Sequence, residues 1–197
     1  MKKLILASSS PRRRELLGQI GLEFEIRTAD VDEHVAASSP EELVRKLSHL
    51  KASAIRPEAG EAPVTVLGAD TIVAVDGTVL GKPADPEDAK RMLRLLQGRS
   101  HEVYTGVTLL SYLTDGSCTC NTFAEETKVF FAPMTEAEIE TYVATGDPLD
   151  KAGAYGIQGF CARYITHIEG DYNNVVGLPV GRVYRELKKE RAWDAEF

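Results

Sequence analysis

The chain has 197 residues, 43% hydrophobic and 27% charged, with a formal net charge of −7. So high an apolar fraction excludes a disordered chain, and no apolar run approaches the roughly 18 residues of a membrane-spanning helix. The length suits one domain or one compact two-lobed unit, on a scale of ~150 residues per domain.

The acidic balance argues against a general nucleic-acid binder, but the charge is unevenly spread. Lys2, Lys3, Arg12, Arg13 and Arg14 fall within residues 1–14 with no acid, whereas the other 183 residues carry 18 cations against 30 acids. The four apolar residues Leu4 to Ala7 are too few for a signal-peptide core of about 7–15, so a cytoplasmic chain is expected. Cys118, Cys120 and Cys161 are odd in number and match neither a disulfide framework nor a zinc site. Reduced thiols without a chemical role are expected. His34, His49, His101 and His167 have no spacing that argues for a metal ligand or a nucleophile's base, which leaves surface or core roles.

In chain order, Leu4 to Ala7 reads as a buried strand. Ser10 as N-cap and Pro11 as first helical residue open a helix that runs to Gln19 or Ile20 and stops at Gly21. A strand over 22–27 and an acidic loop, Asp30-Val31-Asp32-Glu33, follow. Ser39 and Glu42 have capping-box spacing at the head of the next helix, with Leu43, Leu47, Leu50 and Ala54 as its apolar stripe. Two strands are expected over 64–67 and 71–75, then an Asp76-Gly77 hairpin returning through Thr78 to Leu80. Asp85-Pro86 starts a helix with Ala89, Met92, Leu93 and Leu96 on one face, ended by Gly98. Long strands over 102–114 and 117–131 flank a second hairpin at Asp115-Gly116. Thr135 and Glu138 form another capping box for a helix ending at Gly146. A Gly-rich loop over 147–159, a strand over 160–168 and a helix from about Pro179 complete the pattern. Hairpins among βα alternations predict an α/β unit with a mixed sheet.

Four stretches suggest chemistry. In Ser8-Ser9-Ser10-Pro11-Arg12-Arg13 a strand passes through a hydroxyl-rich loop into a helix start, where free N–H groups converge. Two arginines at the positive end of a helix dipole are unfavourable unless an anion sits there. In Gly68-Ala69-Asp70-Thr71 an Asp beside small residues suits a divalent metal or a proton acceptor, with Glu33 as a second oxygen ligand. Gly81-Lys82-Pro83 resembles a Walker A loop superficially, but Gly77 to Gly81 holds three intervening residues rather than four, and Pro83 follows the Lys. Lys82 remains a candidate phosphate-binding charge. Ser48 to Lys51 mimics S-x-x-K without its partner motifs. Lys51, at the edge of the apolar stripe, points either into a cleft or along the surface to solvent. The glycines of Lys151 to Gly159 exclude the dinucleotide G-x-G-x-x-G pattern. They suit a wall against a flat ligand, with Gln158 able to read a base edge.

Together S-S-S-P-R-R at 8–13, G-A-D-T at 68–71, G-K-P at 81–83 and P-L-D-K-A-G-A-Y-G-I-Q-G at 148–159 resemble the Maf family of nucleoside triphosphate pyrophosphatases. Glu33, Lys51 and Asn174-Val175-Val176-Gly177-Leu178-Pro179 also fall in place, and the resemblance spans about residues 3–187. It implies one Maf-like domain over 1–197: an elongated mixed α/β fold, similar to the inosine triphosphate pyrophosphatases, with a deep cleft between two interdependent lobes. The implied reaction is hydrolysis of a nucleoside triphosphate to the monophosphate and pyrophosphate with a divalent cation, Mg²⁺ or Mn²⁺. Arg12, Thr71 and Gln158 resemble the specificity positions of a branch acting on dTTP and UTP, whereas the 7-methyl-GTP branch departs from G-A-D-T. The implied roles are catalytic for Asp70 (the proton acceptor), Lys82, Lys51 and Glu33; substrate-binding for Ser8, Ser10, Arg12, Arg13, Thr71 and Gln158; and metal-holding for Glu33 and Asp70. A house-cleaning homodimer without nucleic-acid or membrane partners is implied. Family members are also linked to inhibition of septum formation, so a nucleotide-binding regulator of division with little catalysis is the alternative.

Overall fold

The computed structural model describes residues 3–190; Lys2, one of the clustered cations, lies outside them. Elements run in the order β1 (Lys3–Leu6), α1 (Pro11–Gln19), β2 (Glu25–Ile26), α2 (Pro40–Ser53), β3 (Val64–Val75), β4 (Thr78–Leu80), α3 (Pro86–Leu96), β5 (Ser100–Tyr112), β6 (Cys118–Phe131), α4 (Glu136–Ala144), β7 (Ile165–Glu169), α5 (Tyr172–Val176) and α6 (Val180–Lys189). Short 3₁₀ turns link α4 to β7. The strands form one seven-stranded sheet ordered β2-β1-β3-β5-β6-β7, with β4 paired to β3. β1 runs parallel to β2 and β3, and the remaining pairs are antiparallel, so the sheet is mixed as expected. Among the described residues no helix is long and apolar enough to cross a membrane.

Both hairpins form. Asp76 and Gly77 take φ of 50° and 75°, the left-handed pair that a two-residue turn needs to match strand twist. α3 buries the expected Ala89, Met92, Leu93 and Leu96 against α4 and the 3₁₀ segment. The Thr135–Glu138 capping box closes in both directions. At α2 only half of the other box forms: Ser39 Oγ accepts from Glu42 N at 3.1 Å, while the Glu42 carboxylate takes the N–H and hydroxyl of Ser38.

Four expectations are corrected. First, 64–67 and 71–75 are one twelve-residue strand, so Asp70 sits inside β3 rather than between strands. Second, the region 22–27 pairs only through Glu25 and Ile26; the Leu22 N–H still bonds to Leu17 O, and its side chain joins the α1 core. Third, residues 159–164 wind as 3₁₀, which puts Cys161 and Tyr164 on one buried side, and β7 begins only at Ile165. Fourth, α2 buries Val44, Leu47, Ser48 and Ala52 instead of the stripe through Leu43, Leu50 and Ala54. The cause lies on the facing strands. A Cβ on Gly68 would stand 2.3 Å from Ser48 O, and one on Gly106 would stand 2.1 Å from Val44 O. Two glycines thus let the α2 backbone rest directly on β3 and β5, and this close approach sets the helix's rotation. α5 was not anticipated; five residues are too few to display a helical period.

The core lies on both faces of the sheet. α1 and α6 pack over Leu67, Ala69, Val107 and Leu109; α2 covers Val64, Val66 and Leu110 on the opposite face; and α3 and α4 enclose Val73, Val103, Phe131 and Tyr155 toward the other end. Inside this last cluster His101 is fully buried, with Nε2 2.7 Å from the Tyr155 hydroxyl and its ring edge-on to Phe131 and Tyr155. Burial, and secondarily Arg99, lowers its pKa to about 4. The unfolded chain binds that proton near 6.5, so stability that is complete above 6.5 is lost as pH falls toward 4. Between pH 7.5 and 5 the expected loss is ~2 kcal/mol, read as a falling urea midpoint that His101→Gln flattens.

Candidate active site

β1 pairs with β3 through Leu67, and β4 pairs with Val73 to Val75. Between these partners the same edge of β3, residues 68–72, has no ladder neighbour among the described residues. Asp70 stands at the middle of that gap, opposite Gly106 on β5. Because successive side chains of a strand alternate, Asp70 faces α2 and Thr71 faces α1 and α5. At an open edge both sides reach the same space, a cleft of about 990 Å³. All ten side chains expected at the site line it: Ser8, Ser10, Arg12, Arg13, Glu33, Lys51, Asp70, Thr71, Lys82 and Gln158.

On the α2 side Lys51 Nζ lies 2.5 Å from Asp70 Oδ1 and 2.9 Å from Glu33 Oε1. The rotation of α2 therefore resolves Lys51 into the cleft. Asp70 is only 8% exposed. Glu33 comes from the loop between β2 and α2 and is held here through Lys51. The two carboxylates thus converge on the Lys51 ammonium. They offer the hard oxygen donors that Mg²⁺ or Mn²⁺ accepts. Among the described residues no group of three or more His, Cys, Asp or Glu makes a protein-only metal site.

On the α1 side Arg13 is inserted between α1 and α5. Its Nε donates to Gly177 O at 2.8 Å, Nη1 to Ser8 Oγ at 3.1 Å and Nη2 to Thr71 Oγ1 at 3.1 Å. All three acceptors are neutral, and among the described residues no carboxylate lies within ion-pair distance of this guanidinium. Burial lowers its pKa, Asp70 opposes that and Arg12 reinforces it. A desolvated cation with neutral partners keeps its charge available for an incoming anion. The expected side-chain cap from Ser10 does not form; Ser8 Oγ accepts the Ser10 N–H instead. The start of α1 has neither a side-chain cap nor an acidic first turn, unlike α2, α3 and α4.

The Gly-rich segment forms the opposite wall. Gly153 N donates to Gly81 O, tying this wall to the turn that carries Lys82. A Cβ on Gly153, at φ 67°, would meet Val73 at 2.8 Å. Gln158 is exposed at the rim, and no hydrogen bond engages its side-chain amide among the described residues. One group here carried no role in the sequence reading. Lys151 Nζ bonds to Asp147 O, Asp147 Oδ1 and Asp150 Oδ1 at 2.6–2.9 Å, and Asp150 Oδ2 reaches Arg12 Nη1 at 3.3 Å across the cleft. Its signal was the charge spacing Asp147-Asp150-Lys151, which includes an i, i+4 pair. Burial raises the Asp150 pKa, but Lys151 and Arg12 together outweigh it and hold the net value below the ordinary one. The lining as a whole holds five basic and five acidic residues, so a uniformly cationic cleft is not what forms. Lys51 and Arg12 are already engaged with carboxylates, whereas Arg13 and Lys82 form no ion pair among the described residues.

A charged cleft at an interrupted strand edge of a mixed sheet fits a small-molecule site. The description "Maf-like protein" matches residues 3–190 as a family model, and the chain belongs to the Maf family. It is 52% identical over 190 residues to the dTTP/UTP pyrophosphatase of Bacillus cytotoxicus, and 50% identical to that of Bacillus mycoides, each alignment covering 96% of both chains. The fold is similar to that of a HAM1 protein from Coxiella burnetii, with a TM-score of 0.52 at 14% identity over 96% of this chain and 100% of that one.

Proposed function

We propose that this chain is a nucleoside triphosphate pyrophosphatase that hydrolyses dTTP and UTP to the monophosphate and pyrophosphate. The observation that carries the reading is the pairing, in one cleft, of the Glu33–Lys51–Asp70 group with the half-buried Arg13, which has no carboxylate partner among the described residues. Relatives about half identical over nearly their whole length are dTTP/UTP pyrophosphatases by name.

Arg13 and Lys82 bind the phosphates first, because no carboxylate competes for them. Arg12 can add a third cation by leaving Asp150, and Lys51 orients both carboxylates. Glu33 and Asp70 would hold a divalent cation, which when bound neutralises charge on the triphosphate. Asp70 takes the proton from the water that attacks the α-phosphorus, and Lys51 beside it stabilises the charge built up on the phosphate. Gln158, with its amide free at the rim, reads the pyrimidine edge.

The strand ladder is continuous on the β5 side of the cleft, which supports reading the chain as one unit rather than two separable lobes. A homodimer and a cytoplasmic location belong to the same reading. Purified protein given a triphosphate panel with Mg²⁺ or Mn²⁺ is expected to release pyrophosphate from dTTP and UTP. Release of orthophosphate would overturn the reaction type, and nucleotide binding without turnover would favour the regulatory alternative.

A further inference from the structure

Thr71 faces Arg13, yet its hydroxyl is already committed, and the direction of that commitment can be worked out from donors and acceptors. Thr105 Oγ1 lies 2.9 Å from Asn174 O. A carbonyl only accepts, so the Thr105 proton goes there. Thr71 Oγ1 lies 2.9 Å from Thr105 Oγ1, and its proton must therefore point to Thr105; the alternative acceptor, Gly177 O, is 3.4 Å away. With its proton turned inward, Thr71 Oγ1 presents a lone pair to Arg13 Nη2 at 3.1 Å. One directed chain results: Arg13 to Thr71 to Thr105 to the carbonyl of Asn174.

The far end is fixed. Asn174 donates through Nδ2 to Val103 O at 3.1 Å and to Thr127 Oγ1 at 3.0 Å, and it is fully buried. Thr127 also accepts from Asp171 N, so the start of α5 is tied to β6 as well. The end of α5 holds Arg13 directly through Gly177 O. Thr105 is itself 0% exposed and outside the cleft lining, so it cannot touch a substrate.

We infer that Thr105 is a positioning residue for Arg13, acting through Thr71. The inference rests on the triphosphate reading above. In an apolar surrounding the direction of each hydroxyl is set by its neighbours. Removing the Thr105 hydroxyl leaves the Thr71 proton the longer contact to Gly177 O at 3.4 Å, so Thr71 loses the partner that fixes its lone pair toward Arg13.

The test compares Thr105→Val, Thr105→Ser and Thr71→Val with wild type on triphosphates that differ only in the base. Pyrophosphate release from dTTP and UTP by wild type first checks the underlying reading by itself. Arg13 binds phosphate in ground and transition states alike, so Thr105→Val is expected to raise KM about threefold to tenfold with kcat within about twofold. Thr105→Ser should restore KM. Thr71→Val should also raise KM, and the double variant should be no worse than Thr71→Val alone. An unchanged KM in Thr105→Val or additive losses in the double variant would each overturn the inference. Should Thr105→Val fail to fold, Thr105→Ala, which removes the same hydroxyl, decides by the same split between KM and kcat. Should wild type turn over no triphosphate, calorimetric binding of inorganic pyrophosphate decides: weaker binding in Thr105→Val supports the positioning role, and equal binding removes it.

Discussion

Replacing Asp70 by Asn is expected to lower kcat for dTTP and UTP by about 10²-fold or more. Asn keeps the size and shape of the side chain, so the strand and the Gly68–α2 contact should survive. What disappears is the negative charge that takes the water proton and the carboxylate that faces Lys51 at 2.5 Å. An amide can still accept from Lys51 through its oxygen, but it can neither hold a proton nor bind a divalent cation comparably. The loss should therefore fall on kcat, while Arg13 and Lys82 keep nucleotide affinity close to that of the wild type. The checks are steady-state kinetics at saturating Mg²⁺ or Mn²⁺ and a urea unfolding curve. A variant with kcat within about threefold of wild type would remove Asp70 from the proton-acceptor role.

Gly106→Ala is expected to cost about 3 kcal/mol or more, at the upper end for overpacking, and to reduce activity together with stability. The added methyl would lie 2.1 Å from Val44 O and 2.3 Å from Val44 C. Both are backbone atoms of α2, so no side-chain rotation relieves the clash and the helix must lift from the sheet. α2 carries Lys51, and lifting it draws the ammonium away from Asp70 and Glu33. Gly18→Ala is the matched control, since a Cβ there meets nothing within 4 Å and Ala is the better helix former. A urea midpoint for Gly106→Ala equal to wild type would show that α2 does not rest on β5 as described.

The elements marked by local chemistry were legible in the sequence. Pro11, Pro40 and Pro86 each begin a helix, Asp76-Gly77 and Asp115-Gly116 turn where expected, and Thr135 with Glu138 caps α4. These are short-range effects of φ, of capping and of turn geometry, carried by residues within a few positions of one another. The expectations that failed depended on partners distant in sequence. Gly68 and Ala69 look like a break between two strands until α2 is seen lying against the backbone at Gly68. The stripe of α2 was misjudged by about one residue because hydrophobicity alone weighs Leu43 and Leu50 above Ser48, whereas close approach favours the small side chains.

All ten candidate site residues could be named from the sequence, since their motifs are local and ordered along the chain; it also identified a locally basic start within an acidic protein. Their division of labour was decided only by the tertiary structure. It pairs Lys51 with Asp70 and Glu33, sets Arg12 against Asp150, and seats a half-buried Arg13 among neutral acceptors. It also sets the Thr71 hydroxyl between Arg13 and Thr105. The physical reason is that a charge acquires its role from what lies within about 4 Å of it. Here those neighbours come from α1, α2, β3, β5 and α5, brought together around the unpaired edge at Asp70.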